Sequence, residues 1–442
     1  MKFRTVIILG VAIRLAIAPF FANPFDVYAW YLTGQNFVTG REPFWSFLAP
    51  YTYSFFLFAF PATSFFDFLA KFVPTYTLPM STLNPILNPG PQWNIAVVPG
   101  ILFDLLVKLT LIVSDALIAC VVYKLALKYV GEEKKAVMVS ALWFLNPLTI
   151  WISSGWGMFD TLPTLFTVIA LYLALEKKFE LAGVCIALAI AMKYYAVVLI
   201  LPLSILALRN GGKVRAAKTI LYTTVASLIL FSPYLSEAVS GFNWTISGGS
   251  SSQLHYSGLS FWSALTLFYS NFNQTLISSL LIISALTVSY AWIWKHRFMQ
   301  NETILSAVAF YLPIVSLLLF FRIVGENFFI WILPFIVIIS LRDTWSKRIY
   351  WILSLLVLAS SITDGLLAYY MLPVSPWIGG FLVHILTLVS PYRVAPTGNV
   401  VQGLSIGKII LASFGILTFV IVVLATLRLT FHKSIAHDLD ST

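Results

Sequence analysis

Residues 99–124 read PGILFDLLVKLTLIVSDALIACVVYK, an apolar run that carries three charges, Asp104, Lys108 and Asp115, before it ends at Lys124. A helix of about 20 apolar residues crosses a hydrocarbon core, so this stretch predicts a membrane span. Runs of the same kind recur at 5–22, 136–154, 159–175 and 217–236, and again at 273–294, 303–321, 327–341, 349–371 and 404–427. The whole chain agrees: of 442 residues, 60% are hydrophobic and 10% charged, and the mean hydropathy is +0.91. Soluble domains carry about 25% charge, and a chain this poor in charge cannot cover a water-exposed surface of its size. The prediction is an all-α polytopic membrane protein. Disordered, collagen-like, disulfide-scaffold and nucleic-acid-binding classes are excluded by the same figures.

Charge placement then orients the spans. The excess of 27 Lys+Arg over 17 Asp+Glu gives +10, which in a membrane protein marks cytoplasmic loops rather than an anionic ligand. Starting with Lys2 and Arg4 inside, the clusters at 124–135, 295–297, 342–348 and 428–433 also fall inside, giving about twelve crossings with both termini cytoplasmic. The run at 5–22 reads as a mature span, because Arg14 interrupts its apolar centre. Residues 181–208 are too long for one simple span and short for two. Lys177 and Lys178 precede them and Arg209, Lys213, Arg215 and Lys218 follow, so both ends belong on the cytoplasmic side. The segment is read as two short broken helices that meet at Lys193-Tyr194-Tyr195.

On this topology the long outer segments are 23–98, 237–272 and 372–403. The first is rich in proline and aromatic residues; its stretch YTYSFFLFAFPATSFFDFLAKFV at 51–73 predicts amphipathic helices lying along or dipping into the outer interface. An outer segment of this length and aromatic density is expected to be functional rather than disordered.

Ionisable groups inside spans are costly and are functional candidates by default; Arg14, Asp104, Lys108, Asp115, Lys193, Asp364 and Lys408 qualify. Asp104, Lys108 and Asp115 share one helix face, which also suits a neutralised packing surface, and Lys408 suits a snorkelling side chain. Three acids sit where spans meet the outer boundary: Asp26, Asp160 and Glu326. Converged on one cavity they would suit proton abstraction from a hydroxyl; Asp160 and Glu326 alternatively serve as helix caps. Basic groups on that side are Arg41, Lys71, Arg322, Arg393 and His255. Arg322 is the first choice for a lipid-linked phosphate, or else an anchor to lipid headgroups, and His255 is a possible second acid/base or a solvated loop residue. No metal-binding, P-loop or dinucleotide motif is present. Cys120 and Cys185 both lie in apolar runs, as buried structural thiols do.

The order of several short motifs resembles a known family. Phe25-Asp26-Val27-Tyr28, then Gly40-Arg41-Glu42-Pro43-Phe44 and Tyr51-Thr52-Tyr53, look like the Asp-x-Asp, Gly-Arg-x-Pro-Tyr and Tyr-x-Tyr segments of the first mannosyltransferase of glycosylphosphatidylinositol (GPI) assembly, the PIG-M type. Asp115 to Lys124, Phe144-Leu145-Asn146-Pro147, Ala191-Met192-Lys193-Tyr194-Tyr195 and Asn327-Phe328-Phe329-Ile330-Trp331 follow in the same order, over residues 1–340. The resemblance implies a GT-C-like bundle, with 1–340 as the catalytic region, its active site in the first outer loop (23–98), and 341–442 as additional helices and an outer loop. It also implies an inverting transfer of a hexose, most simply mannose, from a polyprenyl (dolichyl) phosphate sugar to a lipid-linked or protein-linked acceptor outside the cytoplasm, in the plasma membrane or endoplasmic reticulum. Asp26 would be the catalytic base, with no bound cofactor and with room for a small membrane partner subunit. Arg322, Lys193 and His255 would face the donor phosphate, and Tyr28, Arg41, Asp160 and Glu326 the sugar or acceptor, leaving Arg14, Lys108 and Asp115 as structural polar groups. Two departures matter. Tyr28 replaces the second Asp of the motif, which puts metal binding by that pair in question, and Gly155-Trp156-Gly157-Met158-Phe159-Asp160 is closer to the Gly-Gln-x-Asp-like element of other polyprenyl-phosphate-sugar transferases. A multispan transporter or glycolipid flippase is the competing reading, because a broken helix also suits a transport site.

Overall fold

The computed structural model describes residues 2–22, 24–40, 51–72, 77–79, 97–99, 101–247, 259–262, 274–297, 301–321, 324–341, 344–368 and 406–431. The chain is a helical membrane protein. Its helices are α1 (Phe3–Ile17), α2 (Pro24–Val38), α3 (Thr52–Leu69), α4 (Ile101–Val130), α5 (Glu133–Phe144), α6 (Pro147–Ile150), α7 (Thr161–Leu175), α8 (Phe179–Met192) and α9 (Ile200–Phe231). They continue with α10 (Leu235–Ser247), α11 (Gln274–Lys295), α12 (Glu302–Phe320), α13 (Leu333–Ile339), α14 (Thr344–Ala368) and α15 (Ile406–Phe431). The all-α expectation needs one small correction. Thr77–Pro79 pairs antiparallel with Val97–Pro99, which joins two points in the later part of the long outer segment just before α4.

The expected count of about twelve crossings is not reproduced. Among the described residues four helical stretches are long and apolar enough to cross a bilayer unaided: Leu102–Lys128, Tyr194–Gly241, Leu276–Lys295 and Glu302–Phe320. A fifth arises if Glu133–Phe144 and Pro147–Trp156, bent by 45°, act as one span. The physical reason is that several expected spans are short or interrupted: α7, α8 and α13 fall below the length that crosses the hydrocarbon alone.

Those interruptions are written in the sequence. At the α5–α6 bend, Asn146 accepts a hydrogen bond from the Leu148 amide at 2.7 Å and Pro147 begins α6, an N-cap followed by a pre-set first turn. The Asn146 amide donates to Tyr350 Oη at 2.6 Å and Ser354 Oγ at 2.8 Å, so α14 braces the bend. Beyond α6 the helix widens to a π turn, Trp151–Trp156, and stops at Gly157, whose φ of +86° is the left-handed conformation that glycine alone adopts without strain.

The broken segment expected at 181–208 is present. Helix α8 ends at Met192, Lys193 is extended (φ −163°, ψ 125°), a 3₁₀ turn covers Tyr194–Leu199, and α9 follows. Helix α9 itself breaks at Gly211 and Gly212, the latter at φ +71°. Lys177 Nζ donates to Asn210 Oδ1 at 2.7 Å and pairs with Glu302, so the two ends of the segment lie together. With a rise of 1.5 Å per residue, the tip at Lys193 stands about 20 Å away along α8.

Two apolar clusters fill the interior. The larger joins α4–α9 to α12, α13 and α14, with Trp143, Phe310, Phe335 and Tyr350 fully buried. The smaller is built from α2, α3 and the start of α4 around Trp30, Phe58, Phe66 and Phe103. Met158 and Phe166 pack against both. The outward faces are themselves apolar; Leu228, Ile229, Ile283 and Val288 are well exposed, as expected of surfaces that meet lipid.

Candidate functional site

The seam between the two clusters is lined by the ends of helices. Asp26 lies in the first turn of α2, which Pro24 begins. Trp156 closes the π turn, Asp160 directly precedes α7, Lys193 sits at the α8 break, and a 3₁₀ turn Glu326–Trp331 leads to α13. Each of these side chains leaves the backbone where helical pairing is interrupted, and is therefore free to be aimed at a neighbour rather than along a helix.

Asp160 is the hub. It is fully buried, and its carboxylate accepts from Lys193 Nζ at 2.7 Å, Trp331 Nε1 at 2.6 Å and Asn327 Nδ2 at 2.5 Å. Three donors on one carboxylate, one of them charged, fix its orientation. The carboxylate makes no cap to its own helix, so the capping alternative is set aside for this residue. Lys193 is enclosed by aromatic rings: its ammonium stands 4.3 Å from the centroid of Phe328, 5.0 Å from Trp331, 5.2 Å from Phe159 and 5.8 Å from Tyr51. Trp331 is sandwiched between Tyr195 at 3.9 Å and Phe328 at 4.4 Å. These cation–π and stacking contacts offset part of the cost of placing an ammonium in an apolar seam.

Asp26 faces this group from α2. Its Oδ2 accepts from Trp156 Nε1 at 2.7 Å, and it lies within the fields of Lys193 and Asp160. Burial pushes its carboxyl up to about 6 from an ordinary 3.8; the Trp156 hydrogen bond and Lys193 pull the other way, and Asp160 adds to the rise. Asp26, Tyr51, Trp156, Met158 and Phe328 are all partly exposed, whereas Asp160, Lys193, Asn327 and Trp331 are buried behind them. Burial also pushes the Tyr51 phenol up to about 12, which keeps it a neutral donor. The arrangement offers a partly exposed carboxylate with a value of about 6, a caged cation behind it, and aromatic faces around it.

Glu326 is buried but turned toward α14, where Ser360 Oγ donates to it at 3.2 Å. Of the three boundary acids, Asp26 and Asp160 are thus brought into one electrostatic group, and Glu326 is linked to it through the adjoining Asn327. Arg41, His255 and Arg322 lie outside the described residues. Tyr28 is in α2, with its side chain outside the described set, as are the side chains of Asp364 and Lys408. Among the described residues no group of three or more His, Cys, Asp or Glu could hold a metal ion.

The in-membrane charges on α4 resolve into two pairs with different partners. Asp115 bonds Arg14 Nε at 3.0 Å, while the same guanidinium donates to Phe144 O at 2.6 Å and Thr149 Oγ1 at 3.2 Å and covers the Phe144 ring at 4.2 Å. Asp104 bonds Lys108 at 3.0 Å. Arg14 and Asp115 tie α1 to α4 and to the α5–α6 bend. Trp156, Asn327, Trp331 and Tyr51 were not marked as site residues by sequence reasoning. The signal that would have found them is a hydrogen-bonding side chain or ring at each predicted helix break.

A profile of the family described as GPI transamidase subunit PIG-U matches residues 78–276, less than half of the chain. The chain is also similar to GPI mannosyltransferase 1 of Candida albicans, at 32% identity over 93 residues. That similarity covers 21% of this chain and 23% of the relative, so under a quarter of the relative's length is matched.

Proposed function

We propose that the protein is an inverting glycosyltransferase of the GPI-pathway type, with Asp26 as its general base. The observation that carries this reading is a largely buried, partly exposed carboxylate, raised to about 6 and held by Trp156, set against the caged Lys193–Asp160 pair at the seam. The partial similarity to a GPI mannosyltransferase supports the substrate class. The donor is a polyprenyl-phosphate hexose, most simply mannose, whose tail stays in the bilayer; the acceptor is a lipid-linked or protein-linked glycan. The acceptor hydroxyl oxygen attacks the anomeric carbon, its proton passes to the Asp26 carboxylate, and the carbon–oxygen bond to phosphate breaks with the electron pair leaving on polyprenyl phosphate. A value near 6 leaves Asp26 ionised at neutral pH yet basic enough to take the proton. Lys193, with Arg322, is assigned to the departing phosphate, and the aromatic faces to the sugar ring. The positive-inside rule places the termini and the Lys177 end in the cytoplasm and the site outside it, in the plasma membrane or endoplasmic reticulum. Residues 1–340 are assigned as the catalytic region.

The test is transfer by the purified protein in nanodiscs from radiolabelled polyprenyl-phosphate mannose or glucose, with host lipid extract as acceptor. Transfer from one donor, lost in Asp26→Asn, supports the reading; equal transfer by both proteins removes Asp26 as the base.

The second reading is a non-transferring subunit of a membrane complex. The longer match, to a transamidase subunit family, favours it, as does the closed Lys193–Asp160 pair, which already satisfies the site's cation. It predicts co-purification with membrane partners from the native host, with Asp26→Asn retaining the complex and no transfer by either protein.

A further inference from the structure

Lys108 is fully buried on α4, and its partners are unusual for a simple helix-face ion pair. Besides Asp104, its ammonium donates to Ala18 O at 2.8 Å, to Phe21 O, and to Gly155 O at 3.3 Å. Those three carbonyls belong to two separate segments. Ala18 and Phe21 form the connection from α1 to α2, and therefore set where α2 begins and where Asp26 stands. Gly155 is in the π turn and immediately precedes Trp156. The side chains that these two segments deliver, Asp26 and Trp156, meet at 2.7 Å.

A second observation points the same way. The stem of Lys108 runs beneath Gly157, the left-handed residue that ends the π turn; a Cβ added there would stand 2.8 Å from Lys108 Cε and 3.3 Å from Trp30. Glycine is thus needed at this position both for its φ and for the passage of the lysine. Asp104 offers the counter-charge at 3.0 Å, so the cation is held without borrowing the acidic groups of the site.

We infer that Lys108 is a positioning residue for the proposed base: by holding the α1–α2 connection and the π turn on one ammonium, it fixes the Trp156–Asp26 hydrogen bond. The inference rests on the assignment of Asp26 as the base, but its central claim concerns the bond itself. An ammonium has three N–H donors and four acceptors stand within its reach, so the donors are shared among Asp104 and the three carbonyls and join segments that have no ladder between them. A neutral side chain of equal length would remove the ammonium's bonds to both segments, and the indole would no longer be held in line with the carboxylate.

The experiment reads Asp26 directly. A hydrophobic carbodiimide modifies protonated carboxyl groups, so the yield of Asp26 modification against pH, measured by peptide mass spectrometry, gives its titration midpoint without any need for transfer. Lys193 and Asp160 also face Asp26 and remain unchanged in every variant. Trp156→Phe sets the reference: without the indole donor the midpoint rises. Lys108→Met combined with Asp104→Asn, which avoids an unpaired buried carboxylate, is expected to raise the midpoint by the same amount, and adding Trp156→Phe to it is expected to produce no further change. If the combined variant does not fold, Lys108→Arg keeps the charge but changes the donor geometry, and is expected to raise the midpoint by part of that amount. A folded Lys108 variant with lowered thermal stability and an unaltered midpoint overturns the inference, as does a rise that adds in full to that of Trp156→Phe. Absence of transfer by the wild-type protein would instead count against the transferase reading and leave the titration result standing. Where transfer is measurable, a positioning role lowers kcat with little change in KM.

Discussion

Two buried charge clusters lie in the same bundle and are built differently. Around Arg14 and Asp115 the partners come from the bodies of α1 and α4 and from the α5–α6 bend, both charges are fully enclosed, and the guanidinium is spread over a carboxylate, two backbone carbonyls and a hydroxyl. Around Asp160 and Lys193 the partners come from helix ends and 3₁₀ or π turns, aromatic rings replace the carbonyls, and one further acid, Asp26, is left partly open to the outside. The lesson is that charge inside a membrane protein does not by itself mark a site. What separates the two clusters is whether every charged group is enclosed and paired, as with Arg14 and Asp115, or one acid is left partly open beside aromatic faces, as with Asp26.

The largest expected effect falls on the second cluster. Asp26→Asn keeps the volume and the hydrogen bond to Trp156 but cannot take a proton, and transfer is expected to drop by about 10²–10⁴-fold, the usual contribution of a positioned base. Stability is expected to move the other way. A carboxyl whose value is raised from 3.8 to about 6 in the folded protein contributes stability that is present below about pH 3.8 and lost as pH rises through about 6. At pH 7.5 the ionised group is a burden on the fold, so the melting temperature of Asp26→Asn is expected to equal or exceed that of the wild type. A fall in both activity and melting temperature would erase the contrast between the clusters.

For the first cluster the expectation is reversed. Arg14→Met leaves Asp115 buried without its partner, and breaking such a pair costs about 3–5 kcal/mol, read as a loss of folded yield and melting temperature. Transfer per folded molecule is expected to stay within about threefold of wild type, consistent with a role in packing alone. Replacing both partners, Arg14→Met with Asp115→Leu, is expected to recover most of the loss, because an apolar pair of similar volume no longer requires desolvated charge. Failure of the double variant to recover would assign the pair a role beyond packing.

The contrast also explains what the sequence revealed. Membrane character followed from composition, and the break at Lys193 was legible because positive charge bracketed an apolar run of the wrong length. The structure adds that Lys177 and Asn210 meet at the opposite end of that segment. The spans were harder to count. Hydropathy registers α7, α8 and α13 as apolar without registering that they are short, and Gly211–Gly212 interrupts a run that looks continuous. Asp26 and Asp160 were legible as acids at boundaries. Their partners were not, because Trp156, Asn327 and Trp331 lie in aromatic-rich stretches where one indole or amide does not stand out until the turn that aims it is known. Lys108 shared a helix face with Asp104 and Asp115, yet its carbonyl partners come from segments distant in sequence, which no periodicity within α4 encodes.

A smaller effect tests how tightly the hub is set. Trp331→Phe keeps a ring between Tyr195 and Phe328 but removes one of the three donors to Asp160. A hydrogen bond to a charged group is worth about 1.5–3 kcal/mol. With one donor fewer, Asp160 holds Lys193 more strongly, and a donor phosphate must compete against it. The expected outcome is a KM for the polyprenyl-phosphate sugar raised by about tenfold, with kcat less affected. An unchanged KM with a lowered melting temperature would return the hub to the same class as the Arg14 cluster.

The smallest effect is the most specific to the open carboxylate. The proposed transfer uses Asp26 without its proton, so the acid limb of kcat/KM is expected to fall as pH drops through about 6. Trp156 is a hydrogen-bond donor to the ionised form and holds the value down against burial. Removing it in Trp156→Phe therefore moves the limb toward higher pH. The shift is expected to be under one unit, about 1 kcal/mol or less, because Lys193 continues to favour the ionised form. Activity at pH 8, well above either limb, is expected to be restored to near the wild-type level. The Arg14 cluster supplies the control: the double variant Arg14→Met with Asp115→Leu is expected to leave the limb in place, since Arg14 and Asp115 direct their charge at each other and at the α5–α6 bend. A limb that moves equally in both variants would mean that the two clusters are one coupled network, and that the division between packing charge and site charge drawn from their geometry does not hold.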